Sequence, residues 1–145
     1  MSDRISPRIA GYVDALPLRP EMQVLEIGCG PGVAARLISQ RLTSGGILAI
    51  DRSATATAAA IAGSRAEIES GKLRFRQVAV EDFQLEPSDQ SFDLVFAMRV
   101  GALDGRHPEL EARVLAAIKA ALKPDGILLV DDQKPRVDRD LPAFP

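Results

Sequence analysis

The residues best suited to chemistry lie together in one short run, Val24–Gly32, with the sequence Val-Leu-Glu-Ile-Gly-Cys-Gly-Pro-Gly. Its acidic residue, Glu26, is followed by glycines at alternate positions, namely Gly28, Gly30 and Gly32. Glycines let the backbone turn sharply and let a ligand approach the peptide groups without meeting a Cβ. The helical pattern that follows them adds unpaired N–H groups facing the same space. We therefore expect a small polar cofactor bound at the end of a strand.

The residues around the glycines indicate which cofactor the loop prefers. Dinucleotide enzymes usually have a third small residue inside the helix, and Val33 stands at that position here. Glu26 would also lie close to a pyrophosphate, which is unfavourable for an anionic ligand, but it suits a ligand with a positive amino group. Both details argue against NAD, so a dinucleotide oxidoreductase is the weaker alternative.

A second acidic residue, Asp51, ends the next apolar run, about twenty residues beyond the loop. A carboxylate at that place can accept hydrogen bonds from both hydroxyls of a ribose. NAD and S-adenosylmethionine both contain a ribose, so Asp51 predicts a nucleoside without choosing between them. The alternative is that Asp51 is a helix cap or a turn residue.

Apolar strand-like runs alternate with helical patterns from residue 22 to residue 132, which is typical of a parallel sheet built from strand–helix–strand units. We predict strands at 23–27, 46–50, 73–78, 92–97 and 126–131. We predict helices at 5–16, 32–42, 53–69 and 107–122, with Ser53 as an N-cap and Pro108 in a first turn. These elements divide the chain into a helical segment at 1–20, a cofactor-binding domain at 21–132 and an irregular, proline-bearing tail at 133–145.

Length and composition exclude several classes of protein. The 145 residues suit one domain, and a formal net charge of −2 argues against a protein that holds nucleic acid mainly by electrostatics. The one cysteine permits no intrachain disulfide, which suits a reducing cytosol. The first residues lack the apolar stretch of a signal peptide, and no later run could span a bilayer. We expect a cytoplasmic domain with neither a membrane nor a nucleic-acid partner.

Four segments in the right order resemble the motifs of class I S-adenosylmethionine-dependent methyltransferases. They are Val24–Gly32, Ile47–Ser53, Ser91–Val95 and Leu122–Val130, and the resemblance covers residues 22–132. It implies an α/β fold with a doubly wound, mainly parallel sheet of about five strands in the order 3-2-1-4-5. It also implies methyl transfer from S-adenosylmethionine to a small-molecule acceptor.

The resemblance assigns roles to residues at matching positions. Glu26 and the backbone of Gly28–Gly30, which includes Cys29, would seat the amino-acid part of the cofactor. Asp51 would bind the ribose hydroxyls, and Arg52 would lie against the adenine. These roles predict a site spread over the ends of the first two strands.

The predicted adenine contacts depart from the pattern of the family. The backbone around Val80 and the side chain of Glu81 would meet the adenine edge, but Ala79 stands where the family often has an acid. Glu81 or the aspartate after it would have to replace that acid. Met98, just past the fourth strand, would face the reacting sulfonium together with the arginine that follows it. The N-terminal helix with Tyr12 often closes over the cofactor in this family, although its apolar pattern also predicts a core position.

The resemblance does not settle which residues do the chemistry, because methyl transfer needs a general base only when the acceptor must first lose a proton. His107, the only histidine, is a candidate base, and an exposed residue at a helix start is the alternative. Arg99 could hold an acidic acceptor by a bidentate contact, or pair with Asp104 or Glu109. Cys29 is expected to fill space in the loop rather than act as a nucleophile, and no histidine–cysteine cluster predicts a metal.

The end of the chain departs most from the family. Members usually add an antiparallel hairpin after the fifth strand, and too little strand-like sequence remains here for most or all of it. The fifth strand would then lie at the edge of the sheet with unpaired N–H and C=O groups. The charged tail could blunt that edge, a second subunit could cover it in a homodimer, or the chain could be a fragment. The short end also motivates an alternative function, a non-catalytic S-adenosylmethionine-binding partner or sensor subunit.

Overall fold

Strands and helices alternate along the chain in the computed structural model, which describes residues 5–142. The strands are β1 (Gln23–Ile27), β2 (Gly46–Asp51), β3 (Leu73–Gln77), β4 (Phe92–Ala97), β5 (Leu122–Val130) and β6 (Arg136–Val137). The helices are α1 (Pro7–Ala15), α2 (Val33–Ser39), α3 (Ala54–Ala62), α4 (Arg65–Glu69) and α5 (Pro108–Ala121), and short 3-10 turns cover Val80–Asp82 and Asp138–Asp140. In this described part of the chain, no helix combines the length and the apolar character needed to cross a bilayer. The predicted α/β class is confirmed.

The strands belong to one six-stranded sheet in the order β3-β2-β1-β4-β5-β6. The first five run parallel, and β6 pairs antiparallel with β5. The predicted order 3-2-1-4-5 is therefore confirmed. Because β1 lies between β2 and β4, the carboxyl ends of these three strands meet where the strand order reverses. Open α/β sheets bind their ligands at this switch point.

Both faces of the sheet are covered by helices, so the central strands are buried on both sides. On one face, Leu25 of β1 belongs to a cluster that includes Val114 of α5. On the other face, Val24 of β1 belongs to a cluster that includes Val13 of α1 and Ile38 of α2. The continuous apolar runs of the sequence are explained by this double burial, and polar side chains begin where the strands leave the core.

The single long helix predicted after β2 is two helices, α3 and α4. Ser53 caps α3 as predicted, because its hydroxyl oxygen accepts a hydrogen bond from the Ala56 N–H at 3.1 Å. The break falls at Gly63 and Ser64. Ser64 is fully buried, and its hydroxyl accepts a hydrogen bond from Arg36 Nη1 at 2.9 Å. This contact holds the chain against α2 and separates the two helices.

The structure agrees with one of the alternatives for the edge of β5, because part of the tail pairs with it. Arg136–Val137 pairs with Ile127–Leu128, so β6 covers the middle of β5. A strand of two residues is too short to give an alternating pattern, which is why the sequence did not predict it. Leu141 is buried, and Lys119 Nζ donates to the Asp138 carbonyl at 2.8 Å, so the tail is fastened to the body of the domain. Because β6 lies along β5, the edge of this strand no longer gives a reason to predict a homodimer.

The start of β5 also differs from the prediction. The strand begins at Leu122, directly after α5, rather than at residue 126. Its pairing with β4 changes register between Phe92 and Leu94, and Asp125 has a left-handed φ of 65°. Residues 123–125, which the sequence prediction left between helix and strand, therefore form an irregular first part of β5.

Candidate functional site

The glycine-rich loop after β1 is bonded to the end of β2. The N–H groups of Gly28 and Cys29 both donate to the Ile50 carbonyl, at 2.8 and 3.0 Å. Gly28 and Gly30 have φ values of 72° and 54°, in the left-handed region that favours glycine. A Cβ on Gly28 would lie 2.9 Å from Val100 Cγ2, whereas a Cβ on Gly30 would have no atom within 4 Å. Close packing therefore requires glycine at position 28, and the glycine at position 30 leaves its peptide open to a ligand.

Asp51 uses both carboxylate oxygens to hold the backbone around it. Oδ2 accepts a hydrogen bond from the Gly30 N–H at 2.9 Å, and Oδ1 accepts one from the Ser53 N–H at 2.9 Å. The turn role that the sequence left open is therefore present. Each carboxylate oxygen has a second lone pair, so Asp51 can still accept hydrogen bonds from two hydroxyls. Its position is fixed before a ligand arrives.

Glu26 is buried at the end of β1, with 3% of its surface exposed. Within the described residues, its Oε1 atom has no hydrogen-bond partner. Burial, and after it the nearby Asp51 carboxylate, raise the pKa of Glu26 to about 8. Buried polar groups in proteins almost always have partners. An unpartnered carboxylate at this place therefore indicates a ligand that supplies the missing donor.

The sequence predicted a core position for Tyr12 on α1, but it did not predict the state of its hydroxyl group. Its ring packs near Phe96, with ring centroids 6.0 Å apart, as a core position predicts. Its hydroxyl, however, is buried without a partner in the described part of the chain. Burial is the main cause that raises the pKa of Tyr12 to about 12, and the carboxylates of Asp131, Glu26 and Asp132 raise it further. A tyrosine at a predicted core position could have indicated this, because a buried tyrosine hydroxyl usually finds a hydrogen-bond partner.

Two adjoining cavities open at the carboxyl ends of the central strands. The larger, of about 310 Å³, is lined by Gly28, Asp51, Arg52, Val80, Glu81, Arg99 and His107, among others. The smaller, of about 180 Å³, is lined by Glu26, Gly28, Cys29, Gly30, Met98 and Arg99, among others. Every residue that the sequence assigned to the site thus lines one of these cavities or both. Contact between these residues and a cofactor remains a prediction.

The structure distinguishes the two possible replacements for the missing acid after β3. Ala79, which stands at that position, lines the larger cavity. Glu81 lines it too, whereas Asp82 does not and pairs with Arg113 at 3.1 Å. Of the two acids, Glu81 is the one within reach of a ligand in the larger cavity.

Arg99, just past β4, has an unusual backbone conformation. Its φ of 56° is in the left-handed region, which residues with a Cβ seldom adopt. Its N–H donates to Asp131 Oδ1 at 2.7 Å, and its carbonyl accepts a hydrogen bond from Arg106 Nη2 at 2.9 Å. Arg106 is itself paired with Asp104 at 2.9 Å. The pairing of Arg99 with Asp104 or Glu109, which the sequence left open, is not formed among the described residues.

His107 stands directly before α5, whose first residue is Pro108 as predicted. Its side chain is exposed, and its Nδ1 lies 3.4 Å from Glu109 Oε1. Its ring also occupies the space beside Gly101, where a Cβ would lie 2.7 Å from His107 Cδ2. His107 therefore forms part of the wall of the larger cavity, with a carboxylate beside it.

Cys29 is held in its thiol form. Burial, followed by the carboxylates of Glu26 and Asp51, raises the pKa of Cys29 to about 12. A thiol that resists ionisation is a poor nucleophile, which agrees with the expected role as a filler of the loop. Among residues 5–142, no group of three or more His, Cys, Asp and Glu side chains is arranged to hold a metal ion.

The sequence matches a family model described as "Methyltransferase domain" over residues 24–126. A curated relative, the trans-aconitate 2-methyltransferase of Deinococcus radiodurans, is 31% identical over 115 residues, which cover 79% of this chain and 39% of that protein. The chain spans less than half the length of the trans-aconitate 2-methyltransferases that it matches, from 39% to 47%.

Solved structures show the same fold. The [4+2]-cyclase SpnF superposes with a TM-score of 0.66 at 27% identity, covering 84% of this chain and 43% of that one. Phosphoethanolamine N-methyltransferase 2 of Haemonchus contortus, solved in complex with S-adenosyl-L-methionine, has a TM-score of 0.66 at 24% identity, covering 84% of this chain and 26% of that one. The names of these two proteins describe different reactions, so the shared fold does not by itself fix the chemistry.

Proposed function

The chain belongs to the class I S-adenosylmethionine-dependent methyltransferases, and we propose that this domain transfers a methyl group from S-adenosylmethionine to a small-molecule acceptor. The observation that carries the proposal is the buried Glu26 carboxylate, which lines the smaller cavity and has an Oε1 atom without a partner in the described structure. A cofactor with an ammonium group supplies the positive charge that this carboxylate lacks. The relatives named for trans-aconitate methylation support a small acceptor.

The residues around the two cavities fit the two halves of the cofactor. We assign the amino-acid half to the smaller cavity, where Glu26 would pair with the ammonium group and Gly30 leaves the backbone accessible. We assign the nucleoside half to the larger cavity, where Asp51 would accept hydrogen bonds from both ribose hydroxyls. In the same cavity Glu81 would accept one from the adenine amino group, and Arg52 would lie against the ring. The cofactor would therefore cross the boundary between the cavities.

Bound in this way, S-adenosylmethionine supplies a methyl group on a positively charged sulfur at the boundary. The transfer asks of the protein mainly that it align the acceptor with the methyl group and exclude water. We assign the alignment to Arg99 and the exclusion of water to the apolar Met98, both at the wall of the smaller cavity. Where an acceptor must first lose a proton, His107 is the side chain of the larger cavity suited to take it.

The proposal also places the domain in the cytoplasm. Cys29 is the one cysteine of the chain and a free, buried thiol, as is usual in a reducing compartment. The formal net charge of −2 favours a small acceptor over nucleic acid, whose binding depends on basic surfaces.

Calorimetric titration with S-adenosylhomocysteine tests the cofactor assignment. We expect the wild-type chain to bind it, and Asp51→Asn to bind about tenfold more weakly because two hydrogen bonds to a charged acceptor are weakened. The matched control is Asp140→Asn, which changes an exposed carboxylate that lines neither cavity. Absence of binding by a folded wild-type protein, or equal binding by Asp51→Asn, contradicts the proposal.

Transfer of a tritiated methyl group separates an enzyme from the non-catalytic alternative. The similarity to a protein named as a cyclase shows that the fold carries reactions other than methyl transfer. We expect label from S-adenosylmethionine to appear in a small acceptor. Tight binding of S-adenosylhomocysteine without transfer to any acceptor would instead favour a partner or sensor subunit.

A further inference from the structure

We propose that the methyl acceptor is a carboxylate and that the Arg99 guanidinium binds it, an inference that rests on the proposed function. Arg99 and Gly28 are the two described residues that line both cavities. Gly28 has no side chain, so Arg99 is the residue of the pair with a side chain to offer at the boundary, and it is exposed. A molecule that reaches the methyl group at this boundary would therefore lie near the Arg99 side chain.

The positive charge of Arg99 is not neutralised by another described residue. Its guanidinium takes part in none of the ion pairs found among residues 5–142. The neighbouring Arg106, in contrast, is paired with Asp104. A guanidinium presents two parallel N–H groups that match the two oxygens of a carboxylate. Arg99 is therefore suited to bind a planar anion at the boundary.

The backbone of Arg99 is held in place from both sides. Asp131 Oδ1 accepts from its N–H at 2.7 Å, and Arg106 Nη2 donates to its carbonyl at 2.9 Å. These bonds maintain a left-handed φ of 56° in a residue that has a Cβ, and Asp131 has a similar φ of 50°. Non-glycine residues held in such conformations cluster at functional sites. The conformation thus points to a role for Arg99 beyond packing.

The charged residues that line the two cavities also favour an anionic acceptor. Their carboxylates are Glu26, Asp51 and Glu81, and the proposed function assigns all three to the cofactor. Arg8 on α1 lines the smaller cavity and adds a second positive charge beside Arg99. An acceptor that enters past these arginines meets a positive surface, which favours an anion over an amine.

A carboxylate acceptor makes the reaction simple. One carboxylate oxygen attacks the methyl carbon, and the new C–O bond forms as the methyl–sulfur bond breaks, with its electron pair remaining on sulfur. The products are a methyl ester and the neutral thioether S-adenosylhomocysteine. A carboxylate is already ionised at neutral pH, so no proton has to be removed and no general base is needed.

The test follows tritiated methyl from S-adenosylmethionine into defined probes with the intact chain. The carboxylate probes are trans-aconitate, succinate and benzoate; succinamide and benzamide are their uncharged counterparts, and tyramine offers an amine and a phenol. Mild alkali releases methyl esters as volatile methanol, whereas N-methyl and ether products keep their label. We expect alkali-labile label from a carboxylate, a loss of about tenfold or more in Arg99→Ala, and partial recovery in Arg99→Lys, which keeps the charge but not the paired N–H groups.

The controls separate this inference from the proposed function. Arg65→Ala removes an exposed arginine of α4 that lines neither cavity and should transfer like the wild type. Alkali-stable label, alkali-labile label that Arg99→Ala leaves unchanged, or binding of S-adenosylhomocysteine without transfer to any carboxylate overturns the inference. Failure of the wild-type chain to bind S-adenosylhomocysteine overturns the proposed function itself, and the inference with it.

Discussion

Two carboxylates in this molecule are withdrawn from water, and the protein surrounds them in opposite ways. Asp89 is reached by two arginines of β3, since Arg74 and Arg76 both donate hydrogen bonds to its buried side chain at 2.8 to 3.0 Å. Arg76 is the main cause that holds the pKa of Asp89 well below its usual range. Glu26 is buried as a whole residue, but within residues 5–142 its Oε1 atom has no partner, and its pKa rises to about 8.

The contrast distinguishes a structural charge from a charge left for a ligand. Asp89 also accepts the Glu86 N–H at 2.8 Å, so its bonds close a loop onto the edge strand β3. Folding alone therefore satisfies Asp89. Folding does not satisfy Glu26, and a buried charge without an internal partner is strongly unfavourable unless something else supplies one.

Removal of the Asp89 charge is expected to have the largest effect. Breaking a buried ion pair destabilises proteins by about 3–5 kcal/mol, and the partial exposure of Arg74 lowers the expectation for Asp89→Ala to about 2–3 kcal/mol. The folded variant should still bind S-adenosylhomocysteine normally, because Asp89 lines neither cavity. Urea denaturation and calorimetric titration measure the two quantities. Unchanged stability would show that Asp89 is not a structural charge.

The opposite result is expected at Glu26. In Glu26→Gln, the loss of a charge-assisted hydrogen bond should weaken binding of S-adenosylhomocysteine about thirtyfold, or about 2 kcal/mol. Stability near pH 8 should stay the same or increase, since the amide carries no charge to desolvate. Glu69→Gln, at an exposed position of α4, is the matched control. A variant that binds normally but unfolds easily would make Glu26 resemble Asp89.

The two carboxylates should also affect the pH dependence of stability in opposite directions. Since folding raises the pKa of Glu26 from 4.5 to about 8, the folded chain keeps a proton that the unfolded chain has released in that range. Stability should fall as the pH rises through this range, by at most about 1.4 kcal/mol per pH unit, and Glu26→Gln should remove the slope. Folding lowers the pKa of Asp89 from 3.8, so its contribution is present above that pH and is lost on further acidification.

Thermal unfolding followed by circular dichroism from below pH 3.8 to above pH 8 measures both arms. The alkaline arm should respond to Glu26→Gln and the acidic arm to Asp89→Ala. If the stability of the wild-type chain did not decline between pH 5 and 8, in a measurement that resolves about 0.5 kcal/mol, the unpartnered state of Glu26 would be contradicted.

The smallest effect is expected from Tyr12→Phe. No hydrogen bond of the described structure is lost, so stability should change by less than about 1 kcal/mol. Binding of S-adenosylhomocysteine should change by less than about threefold, and the same titration and thermal unfolding measure the two values. A loss of affinity of tenfold or more would instead place the Tyr12 hydroxyl in the cofactor site beside Glu26.

The sequence predicted the parts of the molecule that neighbouring residues determine. Gly28 and Gly30 have the left-handed backbone that their spacing suggested, and Ser53 forms the predicted cap. Asp51 ends its strand beside the loop, as its distance along the chain predicted. In each case the local chemistry of the backbone leaves few alternatives, so a short stretch of sequence is informative.

The parts that the sequence missed depend on residues that meet only in the fold. Asp89 lies in a polar loop, and its neighbours in sequence do not distinguish it from other loop aspartates. Its partner Arg76 is 13 positions away and meets it only in the folded chain. The unpartnered hydroxyl of Tyr12 could not be predicted either, because a helical pattern indicates only that the apolar ring is buried. The isolation of Glu26 is likewise a property of three-dimensional packing.

The hydrogen bonds of the glycine-rich loop determine which ligands it rejects. Its donors are all accounted for: the N–H groups of Gly28, Cys29 and Gly30 reach acceptors at the end of β2, that of Gly32 reaches an acceptor within the loop, and Pro31 has none. A loop that cradles phosphate needs several unoccupied peptide N–H groups. A phosphate could therefore engage residues 28–32 themselves only by breaking the bonds that fix the loop to the sheet.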